Sequence, residues 1–269
     1  MRPSSRWMIA LAVISLAGCA SDTPRNQSFP LTRHEAHLAI ERMHADLWPL
    51  PRPVIVLGGI HDPGLVASHI ADVIRDSVPD RSQVVDLSFF GDLTFDDCAT
   101  KLIRFVDETF PNITSDSETI EVDVVAFSMG GVVARFAASD AYAKASGRRL
   151  NIARLFTISS PHDGADLADW PTLDDRVKDM RKGSAFLATL NSESLAPIHR
   201  YELFTYVRLK DGVVGEEHAA PPDMSAWWVP SGFSFAHLGA GHDERILADI
   251  LRRLRGEQPF TTSPPAPLP

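Results

Sequence analysis

Residues 122–136 read VDVVAFSMGGVVARF. An apolar, β-branched run ends at Phe127, a single serine follows, and from Met129 the apolar residues recur at helical spacing. A hydroxyl placed where a strand gives way to a helix marks a sharp turn that lifts the serine clear of the sheet. Such a turn strains the serine backbone and crowds the residues two places on either side, so both must be small. Here they are Ala126 and Gly130, one methyl away from the G-x-S-x-G pattern. Because the helix begins at once, the Met129 amide stands at its positive end, suited to a developing oxyanion.

Working outward, the periods alternate along the chain. Residues 53–59 (PVIVLGG), 82–90 and 152–160 are strand-like, and the first is a continuous apolar run of the kind buried on both faces of a sheet. Residues 65–76, 95–110 and 130–146 have helical spacing. Strand-like stretches at 201–209 and 226–230 follow, then a final helix over 243–256. Residues 31–47 read as an added N-terminal helix. This alternation predicts one α/β domain over residues 31–256, with a mostly parallel central sheet, helices on both faces, and the chemistry beyond the carboxyl ends of the strands. At 269 residues with 44% hydrophobic content, the chain needs no second domain to build its core.

The ends differ from the middle. Residues 1–18 carry Arg2 and Arg6 and then an apolar run from Trp7 to Ala17, too short to span a bilayer and shaped like a signal-peptide core. The run closes in Leu16-Ala17-Gly18-Cys19, which resembles a bacterial lipobox. That resemblance implies cleavage before Cys19, a lipid on its sulfur, and a membrane-anchored protein facing the periplasm or cell exterior. Residues 19–30 are polar with two prolines, as in a linker, and 257–269 are Pro/Ser/Thr-rich and expected to be disordered. With Cys19 acylated, Cys98 has no cysteine partner and reads as a small buried hydrophobe. The formal charge of −9 carries no basic block, which argues against a nucleic-acid partner.

Five stretches in order resemble the α/β-hydrolase family, and within it the lipase-like branch, over roughly residues 50–255. Besides AFSMGG, PVIVLGGIHD (53–62) is similar to the strand and oxyanion loop that in many lipases reads His-Gly. Gly58-Gly59 stands there instead, which makes Ile60 the second amide donor beside Met129. FTISSPHDGAD (156–166) looks like the strand end that floors a lipase site, and RKGSAFLATLN (181–191) looks like a cap segment. KDGVV (210–214) resembles the loop that carries the catalytic acid. The resemblance implies the α/β-hydrolase fold with a small cap insertion at about 165–200.

The residues support the same roles. A serine nucleophile needs a base within hydrogen-bond reach and a carboxylate to fix that base's tautomer, in the chain order Ser, acid, His. Asp211 follows a strand and precedes Gly212, and His237 lies on a Gly-rich stretch after the last strand, so Ser128, Asp211 and His237 are the preferred set. Asp163, also past a strand end, and His242, just before the final helix, are the alternatives. His162 reads as structural or pocket-lining, and Leu65, Phe89, Phe90, Leu167, Trp170 and Phe186 as candidates for an acyl pocket or for ordinary core. His34 and His37 in HEAH lack the H-E-x-x-H spacing, His44 reads likewise as helix surface, and no stretch supplies a metal set or implies a cofactor. The expected activity is hydrolysis of acyl or lipid esters through an acyl-enzyme. A thioesterase, amidase or acyltransferase on the same fold and a non-catalytic binding lipoprotein are the alternatives.

Overall fold

The computed structural model describes residues 24–169, 172–194, 200–232 and 235–269. Six strands form one sheet in the order β2-β1-β3-β4-β5-β6, every neighbouring pair parallel. They are β1 (Val54–Leu57), β2 (Val84–Leu87), β3 (Glu118–Phe127), β4 (Arg149–Ile158), β5 (Glu202–Arg208) and β6 (Trp227–Val229). All six were legible as apolar runs, because the central strands are covered on both faces; β1 is buried at every residue.

Helices pack on both faces. One layer holds α1 (Arg33–Ala45), α2 (Leu65–Arg75) and α9 (Glu244–Leu254) around Ile40, Ile70 and Leu247. The other holds α3 (Phe95–Thr109), α4 (Met129–Ala137) and α5 (Asp140–Ser146) around Leu102, Val133 and Tyr142. The insertion after β4 contributes α6 (Asp175–Asp179) and α7 (Ala185–Ser194) to this second layer through Met180, Leu187 and Leu190. A short α8 (Ala236–Ala240) precedes α9.

Three expectations are corrected. The single helix expected over 130–146 is two, because the Ser139 hydroxyl donates to the Phe136 carbonyl (2.7 Å) and accepts from the Tyr142 amide (3.0 Å), ending one helix and capping the next. The C-terminal tail is ordered rather than disordered. Carbonyls of Thr262, Ala266 and Pro267 accept the indole N–H groups of Trp227 and Trp228, whose burial on the edge strand requires acceptors. Nor is the described part of the expected linker a loose tether. Asn26, Ser28 and Phe29 are buried, the Asn26 amide nitrogen donates to the Trp228 carbonyl (2.6 Å), and Ser28 takes the Ala266 amide (2.7 Å). The signal segment and Cys19 lie outside the described residues.

Candidate active site

The strands' carboxyl ends carry the backbone strain of the molecule. Among the described non-glycine residues, positive φ occurs at His61, Ser128, Ser159 and Lys210, in the turns leaving β1, β3, β4 and β5, and at Phe235 before α8. Residues held in such conformations cluster where geometry serves a site. Ser128 has φ 53° and ψ −129°, and its amide is fixed by the Ile158 carbonyl (2.9 Å). The glycines beyond it are steric necessities. A Cβ on Gly130 would come within 2.7 Å of the Gly58 carbonyl oxygen, and one on Gly131 within 2.8 Å of both Ser160 Cβ and Thr157 Cγ2.

The turned-out hydroxyl meets an imidazole. Ser128 Oγ lies 3.0 Å from His237 Nε2, and His237 Nδ1 lies 3.0 and 2.9 Å from the two oxygens of Asp211. A carboxylate can only accept, so Nδ1 carries the ring proton and Nε2 presents its lone pair to the serine O–H. Asp211 is 1% exposed, and its Oδ1 also accepts the amides of Val213 and Val214, each at 3.1 Å. Burial works to raise the Asp211 pKa, but hydrogen bonds and charge from His237 and the Val214 amide outweigh it and hold the carboxyl below its ordinary range. The acid is therefore a fixed negative charge under the imidazole.

His237 lies in α8 rather than on the expected glycine loop; Gly239 and Gly241 serve close packing instead. A Cβ on Gly239 would collide with the Arg208 guanidinium, and Phe127 packs 5.0 Å from the His237 ring. Arg208 from β5, facing Asp243 at 3.4 Å, is thus a support for α8 that single-residue reading of the sequence did not single out.

The loop after β1 passes directly over the serine: a Cβ on Gly59 would lie 3.0 Å from Ser128 Cβ. This brings the start of the Gly59–Ile60 segment against Ser128. Met129, the first residue of α4, has an amide with no carbonyl partner available inside its own helix. Asp62 braces the loop where a histidine was missing. Its Oδ1 accepts the Gly64 amide (2.9 Å) and its carbonyl takes the Ser88 hydroxyl (2.5 Å). An aspartate two residues past the loop was not recognisable as that brace from sequence.

The alternative pair stands elsewhere. Asp163 faces His218 Nδ1 (3.5 Å) and Lys182 (3.7 Å), and exposed His242 packs at a tilt against His69 with ring centroids 4.2 Å apart. His162 is fully buried and structural. Its Nδ1 accepts from Arg135 (3.0 Å), so its Nε2–H donates to Thr157 Oγ1 (2.9 Å), and desolvation, with the nearby Arg135 charge, holds its pKa well below the usual value. Burial pushes the Cys98 thiol up to about 12, which leaves it inert. Of the N-terminal histidines, His37 pairs with Glu244 (2.9 Å) and His44 meets the Val73 carbonyl (3.0 Å), tying α1 to its neighbours.

Solved structures share this fold. The mature lipase BlEst2 of Bacillus licheniformis matches with a TM-score of 0.51 at 17% identity, over 72% of this chain and 89% of that one. Phospholipase PlaB from Legionella pneumophila, solved in complex with thio-NAD, matches with a TM-score of 0.54 at 15% identity, over 76% of this chain and 58% of that one. The fold is that of the α/β hydrolases. The chain spans a little over half of PlaB. A family model described as a domain of unknown function, DUF7379, matches residues 96–199, and no curated protein matches in sequence. Within this fold, Ser128 follows the third strand in chain order, Asp211 follows the fifth and His237 the sixth, all at the carboxyl end of the sheet.

Of the residues considered for an acyl pocket, Phe89 is fully buried, and Phe186 stacks on Phe95 in the core with ring centroids 4.4 Å apart. Leu65, Phe90 and Leu167 are exposed, and Trp170 lies outside the described residues.

Proposed function

We propose that this chain is a serine-dependent hydrolase of carboxylic esters, acting on acyl or lipid esters through an acyl-enzyme. The observation that carries this reading is the unbroken hydrogen-bond line from Ser128 Oγ through His237 to buried Asp211. Ser128 attacks the ester carbonyl while His237 Nε2 takes its proton, and Asp211 stabilises the imidazolium that forms. The Ile60 and Met129 amides take the charge that develops on the carbonyl oxygen. The imidazolium then protonates the departing alcohol, and water, activated by the same base, releases the acid.

The rim of the site supports an apolar acyl group. Leu65, Phe90, Leu93, Leu167, Phe235 and Leu238 are all exposed, and all belong to segments at the strand-end face that carries Ser128. The two similar structures are named as a lipase and a phospholipase. Anchoring by lipid at Cys19 belongs to the same reading, because it would hold that rim close to a membrane. Partition of the protein into the detergent phase, with acylated Cys19 by mass spectrometry, supports the anchor; an unmodified Cys19 in the aqueous phase refutes it.

The activity is tested with a fluorophosphonate probe and p-nitrophenyl esters of rising chain length. Covalent labelling and ester turnover that both vanish in Ser128→Ala are expected, the loss reaching on the order of a millionfold. A Ser128→Ala protein that keeps more than a few per cent of the rate, with contamination excluded, overturns the serine mechanism.

A further inference from the structure

Two loops that leave neighbouring strands β4 and β5 are laced together beside Asp211. The Asp163 amide donates to the His218 carbonyl (3.2 Å), the Asp166 amide to that of Val214 (3.2 Å), and the Leu167 amide to that of Val213 (3.0 Å). The lacing gathers acids around one imidazole. His218 Nε2 lies 3.5 Å from Asp166 Oδ1 and 3.9 Å from Glu217 Oε1, while Nδ1 faces Asp163 Oδ2 at 3.5 Å. Gly215, at φ 86°, lets the loop close on them, since a Cβ there would come within 2.9 Å of Asp166 Oδ2 and 3.0 Å of His218 Cδ2.

These separations are too long for good hydrogen bonds, which for nitrogen and oxygen run to about 3.2 Å. His218 is nevertheless 7% exposed, and its buried Nδ1 has no hydrogen-bond partner among the described residues. The distances do fit ligands sharing one ion. Zinc–nitrogen and zinc–oxygen bonds of about 2.1 Å at tetrahedral angles separate neighbouring ligand atoms by about 3.4 Å. Nδ1–H would then point at Asp163, the outer carboxylate that orients and strengthens a metal-bound histidine.

We propose that Asp166, Glu217 and His218 form a zinc site that clips the Asp211 loop to the segment after β4, with Asp163 orienting the imidazole. One nitrogen with two carboxylate oxygens favours zinc, whereas calcium and magnesium call for oxygen donors throughout. The carboxylates of Asp166 and Glu217 are 53% and 60% exposed, which leaves an entry path and a fourth position for water. No stretch of sequence announced the set, because Asp166 and His218 are far apart in the chain and meet only when β4 and β5 pair. The effect is local to the loop whose Val213 and Val214 amides hold Asp211.

The test uses the untagged full-length chain, stripped with chelator and titrated with zinc chloride or calcium chloride. Metal per chain is read by mass spectrometry after desalting, and stability by thermal melting. One zinc per chain is expected, with a midpoint that rises with zinc concentration. His218→Ala should retain none, Glu217→Gln should bind at least tenfold more weakly, and Asp163→Asn about 10- to 100-fold more weakly. Glu217 is exposed, so its variant reports on the site even if His218→Ala fails to fold. No bound zinc, or zinc binding unchanged in Glu217→Gln and His218→Ala, overturns the proposal. So does calcium binding equal to zinc and indifferent to His218.

Discussion

Replacing Asp211 with asparagine keeps the side chain's size and removes one property. The carboxylate accepts the His237 Nδ1–H and, on Oδ1, the Val213 and Val214 amides. The asparagine oxygen can keep the two amides, which are fixed by the turn. Its NH2 group then faces Nδ1, and a donor facing Nδ1 forces the ring proton onto Nε2, aimed at Ser128 Oγ across 3.0 Å. The base has no lone pair left for the serine, and the imidazolium loses its counter-charge. In a serine protease this substitution costs about ten-thousandfold in turnover, or about 5.4 kcal/mol at 1.36 kcal/mol per decade. Asp211 touches no substrate, so the loss should appear in kcat with KM little changed. Initial rates on a p-nitrophenyl ester, with circular dichroism as the folding control and His242→Gln as a neutral comparison, measure it. A folded Asp211→Asn enzyme within tenfold of wild type would refute the assigned role of the hydrogen-bond line.

Gly131→Ala drives a methyl against Ser160 and Thr157, and overpacking of this kind costs about 1–3 kcal/mol. A thermal midpoint lowered by several degrees, with ester turnover reduced, is expected; an unchanged midpoint refutes the packing argument. His162 is held neutral in the fold, while the unfolded imidazole gains a proton below about pH 6.5, so stability falls as pH drops through that window, by up to about 1.4 kcal/mol per unit. Melting curves at pH 7.5 and 5.5 should diverge less in His162→Gln, and an equal divergence would refute it. The Asp211 contribution has the opposite origin: its depressed pKa stabilises the fold above about pH 3.9 and is lost as pH falls through the folded value. Acid titration should therefore show a second, lower loss that Asp211→Asn lacks.

The six strands could be read in advance because each contributes an apolar run that only a two-sided sheet can bury. That Ser128, Asp211 and His237 meet was legible because the serine's turn imposes small neighbours and the fold imposes the order of the other two. What stayed hidden depends on contacts across the fold. Arg208 supports α8 only because Gly239 is bare, and Asp62 acts as a brace through the Gly64 amide and the Ser88 hydroxyl. Composition misjudged the tail for the same reason: a Pro-rich segment cannot build a core, but its carbonyls can serve indoles buried by another strand.

Both ends of the described chain converge on β6. Asn26 and Ser28 enter there, Ala266 and Pro267 lie across the same Trp228, and Thr262 meets Trp227, so the strand that would expose a sheet edge is sealed on its open side. Mechanically this makes a clasp. A pull on the residues before Pro24 is borne first by the Asn26–Trp228 and Ser28–Ala266 hydrogen bonds, at the flank of the sheet remote from β2. Loading a tether would therefore unfasten the β6 margin before it strained the central strands that carry Ser128.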